Sequence, residues 1–248
     1  MDIGSFMLYL LLFFGGLVAG IINVLAGGGS FLTLPLLSLF GLSPSVANGT
    51  NRISILLQNI SATASFSRKK VLNTKKALYL SVPTILGSLV GANIAVEIPD
   101  RILKVVLGVI FIFMAFFNLF SKDEESALSS RTLSKILEFI IFFLIGIYGG
   151  FIQAGVGFFL VAAIRKFEGE DIKNANVLKI FLTLTFTIFS IIIFSFNSKV
   201  ELVPGLVLGT GSFFGGSIGA HLNLRLDKKV LKYILSTMII LSAILYLV

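Results

Sequence analysis

Polar positions are few and clustered along this chain, and long apolar runs fill the intervals between them. An apolar run of about 20 residues spans a bilayer as a helix. Such runs cover about Ile3–Leu25, Val46–Phe66, Ala77–Val96, Ile102–Phe120, Ile136–Ala154, Asn176–Phe196, Leu202–Leu222 and Val230–Val248. The pattern predicts an all-α integral membrane protein with about eight full transmembrane helices. Two shorter apolar pieces, Phe31–Phe40 and Phe158–Phe167, would reach only about 15 Å as helices. They are predicted to be half-helices completed by broken backbone.

Each short piece follows a glycine break. Gly27, Gly28 and Gly29 interrupt the first run, and Gly155 and Gly157 end the fifth. A glycine costs a helix about 1 kcal/mol relative to alanine. In a bilayer, broken helix is tolerated only where protein covers it or a polar cavity meets it. The breaks are therefore the first candidates for a substrate site.

The two breaks belong to a repeat. Gly16, Gly20, Asn23 and Gly27 match Gly146, Gly150, Gln153 and Gly157 at a shift of 130 residues. Arg52 matches Lys179, and Gly87 and Gly91 match Gly215 and Gly219. The chain divides into a first repeat (1–120), a polar linker (121–134) and a second repeat (135–248). Small residues spaced by four favour close helix packing in membranes.

Composition and charge refine this picture. Hydrophobic residues make up 56% of the 248 and charged residues 13%, with mean hydropathy +1.01. There is no Cys and one His, His221, which argues against a disulfide framework, a thiolate or His-rich metal centre, or any cofactor held by them. The net charge of +8 suggests nucleic acid only at first sight, because the basic residues sit in short loops between apolar runs. If the short pieces return without crossing, Lys and Arg divide evenly between the two sides. If each counts as a crossing, 15 fall on one side and Arg101, Lys104 and Lys199 on the other. The positive-inside rule prefers the second arrangement. It makes the repeats inverted, as in many secondary transporters. The amino terminus, Met1–Ser5, lacks a basic signal-peptide region, so the first run is expected to be retained.

Two cations remain inside the runs: Arg52 and Lys179, one per half. An ionisable group at membrane depth is a functional candidate by default. No Asp or Glu lies in either run to neutralise them, so an anion is one answer. Snorkelling to the headgroups is the other. Beside each cation stand a glycine break and a side-chain amide, Asn23 or Gln153. Freed backbone N–H groups and helix N-termini bind anions, and planar Arg suits oxyanions. Thr50 and Asn51 lie within a turn of Arg52 and could add donors. For Asn23 and Gln153, interhelical hydrogen bonds explain the residues as well as ligand contact does. The expected site is a small-anion site between the repeats, with the first half as the stronger binder. It comprises Asn23, Gly27, Gly28, Gly29, Thr50, Asn51 and Arg52 with Gln153, Gly155, Gly157 and Lys179.

At these residues the sequence resembles the TauE/SafE sulfite exporter family. The resemblance rests on Ala19-Gly20, on Ala26-Gly27-Gly28-Gly29 followed by Pro35, and on Ala47-Asn48-Gly49-Thr50-Asn51-Arg52. It extends to Gly150, Gly155-Val156-Gly157 and the paired glycines of both halves, covering nearly the whole chain. The second half departs from the family pattern, with Val177-Leu178-Lys179 where Thr-Asn-Arg stands in the first. The resemblance implies a plasma-membrane permease for sulfite, sulfonates or related organosulfur and carboxylate anions. The expected partners are that anion and the lipid bilayer, with no nucleic acid, and a homodimer is left open. A membrane enzyme would need an acidic, His or Cys cluster at depth, which the runs lack. An anion channel with the same site, or a transporter-like subunit without transport, are the alternatives.

Overall fold

The computed structural model describes residues 3–120 and 134–223. The expected linker up to residue 133 and the last expected span, Val230–Val248, lie outside them, as do the basic positions Lys122, Arg131, Arg225, Lys228, Lys229 and Lys232. Nine helices follow one another in the described residues: α1 (Ile3–Ala26), α2 (Ser30–Leu39), α3 (Pro44–Arg68), α4 (Thr74–Glu97), α5 (Asp100–Phe120), α6 (Lys135–Phe151), α7 (Val156–Glu168), α8 (Ile172–Phe196) and α9 (Leu202–Leu222). No strand occurs among the described residues.

Four of these helices are long and apolar enough to cross a membrane: α4, α8, α9, and α1 from Gly4. Four of the eight expected full crossings thus meet that length and composition among the described residues. Helix α3 has the length, at 25 residues, but carries Asn48, Asn51, Arg52, Gln58 and Asn59. These side chains are buried against neighbouring helices. The exterior, by contrast, exposes Phe6, Phe14, Leu78, Val105, Leu144 and Phe214. A polar interior inside an apolar shell is the distribution that a hydrocarbon solvent selects.

The glycine repeats set the helix pairs. A methyl group on Gly16 would collide with the Leu208 backbone, one on Gly20 with Ser212, and one on Gly219 with Val24. Helices α1 and α9 therefore lie backbone to backbone and run in the same direction. The matched glycines do the same elsewhere: Gly146 meets Thr84 and Gly150 meets Ser88, so α6 lies parallel to α4. Each first helix thus packs on the fourth helix of the other half. Helix α3 runs with α9, since Gly205 faces Ile53 and Gly209 faces Leu57. Helix α8 runs with α4, since Thr185 bonds Ser81 at 3.2 Å and Phe194 packs with Ala95. Between these groups the direction reverses: Gly49 faces Lys199, while Phe66 clusters with Val177 and Ile180.

The short helix α2 folds back along α1. Gly15 faces Leu36, and Phe40 packs on Tyr9 with ring centroids 5.1 Å apart. Helix α3 then restarts in the direction of α1. The loops gather into two faces. On one, Lys76 pairs with Glu168 at 3.0 Å and Glu170 at 2.6 Å, joining the start of α4 to the end of α7 and the loop after it. On the other, Asp100 accepts a hydrogen bond from the Ser45 N–H at 2.8 Å. The fifth expected span is shorter than predicted, ending at Phe151 rather than Ala154. Its last carbonyls are taken by side chains of α3, as described next.

Candidate anion site

The two helix breaks face each other. Gly27 has φ +87°, a conformation that costs any residue with a Cβ. A Cβ on Gly157 would lie 2.5 Å from the Gly27 Cα, and one on Gly27 would lie 2.6 Å from the Gly157 Cα. Gln153 (φ +67°) and Gly155 (φ +76°) turn the chain out of α6 and into α7. Gly29 is held against the Ala19 carbonyl and the Asn23 side chain, and the Gly28 carbonyl accepts the Phe31 N–H at 3.1 Å.

The two buried cations have protein partners, and the partners are backbone. Lys179 Nζ donates to the carbonyls of Asn23 and Val24, both at 2.9 Å. Asn176 Nδ2 donates to the next carbonyl, Leu25, at 3.0 Å. Arg52 donates to the carbonyls of Gly149 and Gly150 and to Gln153 Oε1 at 3.1 Å. Asn48 Nδ2 donates to the next carbonyl, Phe151, at 2.8 Å. Each half therefore uses one cation and one asparagine to clamp C-terminal carbonyls of the other half's broken helix, of which the Asn23 carbonyl also accepts the Gly27 N–H at 2.8 Å. The last carbonyls of a helix lack intrahelical donors and carry the negative end of its dipole. The dipole answers the missing carboxylate that the sequence raised.

The cations differ in what remains. The Arg52 guanidinium is enclosed, with its carbon 4.2 Å from the Phe194 ring centre. Only Nε lacks a partner. Lys179 spends two of three N–H donors on carbonyls and borders a central cavity with room for about one water molecule (about 10 Å³). Asn23, Gly27, Gln153 and Gly157 also line this cavity. Arg52, Gly28, Gly29, Thr50, Asn51 and Gly155 are not among its lining residues. Thr50 Oγ1 accepts the Glu201 N–H at 2.9 Å, at the start of α9. Asn51 accepts from Thr33 Oγ1 at 2.6 Å and donates to Ser30 Oγ at 3.2 Å, which ties α3 to α2. Gln153 links Arg52 to the cavity and donates to Thr187 at 2.6 Å.

Three polar lining residues lie outside the site expected from sequence: Ser30, Asn59 and Thr183. Asn59 is fully buried and accepts from Gln58 Nε2 at 2.8 Å, but its own Nδ2 has no partner. Its position among the polar residues of α3 was the available signal. The first residues of α2 and α7 also border the cavity, through Ser30, Val156 and Gly157. Helix N-termini carry partial positive charge, although here the Val156 N–H is bonded to the Gln153 carbonyl at 3.2 Å and the Phe31 N–H to that of Gly28. No acidic side chain lines the cavity. Lysine, an unpaired amide and two helix N-termini thus converge on one small space. Among the described residues, no group of three or more His, Cys, Asp or Glu comes together as a metal site.

Comparison with known proteins gives a family and several relatives. The family described as "Sulfite exporter TauE/SafE" matches residues 12–246. A probable membrane transporter protein, ORF9, of Sinorhizobium is 29% identical over 97% of this chain and 92% of its own length. The probable membrane transporter protein YfcA of Escherichia coli K12 is 29% identical over 94% of this chain and 86% of its own. The probable membrane transporter protein YjnA of Bacillus subtilis is 28% identical over 92% and 96%. No solved structure gives a significant match.

Proposed function

The chain belongs to the TauE/SafE sulfite exporter family of membrane transporters, and from that premise we propose that it carries small oxyanions, such as sulfite or sulfonates, through the cavity between its two helix breaks. The observation that supports this reading best is the donor set. The third N–H of Lys179, the unpartnered Asn59 amide and the starts of α2 and α7 all suit an anion, and no lining carboxylate opposes one. Carriers with broken helices place substrate anions at such N-termini.

The two halves serve in this reading as inverted repeats. Corresponding helices oppose each other: α1 against α6, α3 against α8, and α4 against α9. On the face of the α3–α4 loop stand Arg68, Lys69, Lys70, Lys75, Lys76, Lys135, Arg165, Lys166 and Lys173. The other face holds Arg101, Lys104 and Lys199. That imbalance supports a cytoplasmic location for the first face, in a plasma membrane. Room for one water is too little for a sulfite, so binding requires the walls of the cavity to part. The described conformation is then a closed one, and rocking of one half against the other opens it.

The test is flux of radiolabelled sulfite and a small sulfonate in proteoliposomes, with the wild type and Lys179→Met. Saturable flux and counter-transport that Lys179→Met reduces at least tenfold are expected. A folded Lys179→Met protein with unchanged affinity and flux overturns the site. Non-saturating flux without counter-transport replaces the carrier by a channel.

A further inference from the structure

The N-terminal parts of α4 and α6 border a second cavity, of about 140 Å³, lined by residues separate from those of the central one. Leu80, Phe139 and Phe142 make it mostly apolar. Glu138 also lines it, and this carboxylate is only 3% exposed. Its Oε2 accepts from Lys135 Nζ at 3.0 Å, while its Oε1 has no partner. Tyr79 and Pro83 stand in the opposite wall. The Tyr79 carbonyl would ordinarily accept an N–H from four residues on, but that residue is Pro83, which has none. A buried carboxylate oxygen without a partner in an apolar pocket is costly unless something donates to it.

The surroundings narrow the donor. Tyr79, Val82 and Phe139 are all more than 40% exposed on the apolar exterior, so the cavity is open to lipid. It lies near the basic face, close to Lys75 and Lys76. The Lys135 side chain is 73% exposed and leaves N–H donors beyond its bond to Glu138. A carboxylate oxygen inside and an ammonium at the rim complement a zwitterion whose positive end can donate hydrogen bonds. We propose that this cavity binds the headgroup of an aminophospholipid. The primary ammonium donates to Glu138 Oε1, the phosphate meets Lys135, and the lipid body follows Val82 and Phe139. A choline headgroup offers no N–H donor, and a glycerol headgroup sets no cation against the carboxylate.

The headgroup series tests this on the wild-type chain. The delipidated, detergent-solubilised protein is melted with phospholipids of identical acyl chains bearing ethanolamine, N-methylethanolamine, choline or glycerol headgroups. Ethanolamine lipid is expected to raise the midpoint by several degrees, with the gain falling as methyl groups replace N–H. Native mass spectrometry is expected to show ethanolamine lipid retained on the wild type and lost from Glu138→Gln and Val82→Trp, with sulfite flux unchanged in both. Equal stabilisation by choline lipid overturns the proposal. So does an unchanged ethanolamine preference in Glu138→Gln, or a dimer that Val82→Trp dissociates, which would assign the cavity to a second copy. If Glu138→Gln does not fold, the wild-type headgroup series decides alone.

Discussion

The two helix-end clamps are built alike and do different work. In one, Arg52 and Asn48 of α3 hold the end of α6; in the other, Lys179 and Asn176 of α8 hold the end of α1. Arg52 spends its planar fork on two carbonyls and Gln153, and an aromatic ring covers it. Lys179 is a point charge with rotatable donors, two of them used. The same helix-end problem is solved once with a group suited to rigid bridging and once with a group that keeps a donor for the cavity. In the proposed reading this difference assigns contact with the anion to the second half and holding of the break to the first. The sequence expectation, from the triple glycine and Thr50-Asn51-Arg52, has the first half as the stronger binder.

The largest expected effect lies where the two clamps meet. Gly27→Ala places a Cβ at positive φ and against the Gly157 backbone. Left-handed backbone costs about 1–2 kcal/mol and overpacking about 1–3 kcal/mol. A loss of about 3 kcal/mol or more is expected in detergent unfolding, with no flux. Gly157→Ala should behave alike, since its Cβ meets the same contact from the other side. Near-wild-type melting of either would separate the breaks and dissolve the comparison.

Arg52→Gln comes next. It leaves the carbonyls of Gly149 and Gly150 without their charged donor, and each such hydrogen bond is worth about 1.5–3 kcal/mol, so a loss of about 3 kcal/mol is expected. Arg52→Lys should recover part of this, because one ammonium cannot reproduce the fork to both carbonyls and Gln153. Thermal melting of the two variants checks the order. If Arg52→Gln keeps full stability and loses only anion affinity, Arg52 is the ligand and the assignment of roles is reversed.

The helix breaks, the paired cations and the glycine spacing were legible because each is a local violation of membrane-helix chemistry. Helix α9 matches its expected span, Leu202–Leu222, and the break after α1 falls at Gly27. The partners of the cations were not legible. Backbone carbonyls carry no residue identity, and those that Arg52 and Lys179 meet come from the opposite half, about 100 and 155 positions away. Asn48 and Asn176 were missed as clamps for the same reason. Thr50 lies two residues from Arg52, but a helix turns about 100° per residue, which puts its hydroxyl on nearly the opposite side, toward the start of α9.

Lys179→Met is expected to cost less stability than Arg52→Gln and more binding. It leaves the carbonyls of Asn23 and Val24 unclamped, while Asn176 still holds Leu25. A hydrogen bond to a charged group is worth about 1.5–3 kcal/mol. Sulfite affinity should therefore fall about tenfold or more, read by titration calorimetry on folded protein. Equal binding losses in Lys179→Met and Arg52→Lys would place both cations in the site.

The smallest expected change is Asn59→Ala, and it separates a ligand from a structural residue most cleanly. The substitution removes the unpartnered Nδ2, whose burial costs about 1–3 kcal/mol. It also removes the acceptor for Gln58 Nε2, a bond of about 1 kcal/mol. These two effects oppose each other, so the melting midpoint should move by no more than a few degrees in either direction. Anion binding has no such compensation. If the amide donates to the anion, affinity drops roughly tenfold, equivalent to 1.4 kcal/mol. A purely structural asparagine would instead lower the midpoint clearly and leave affinity alone. That result would remove α3 from the binding site and leave the anion to Lys179 and the two helix N-termini.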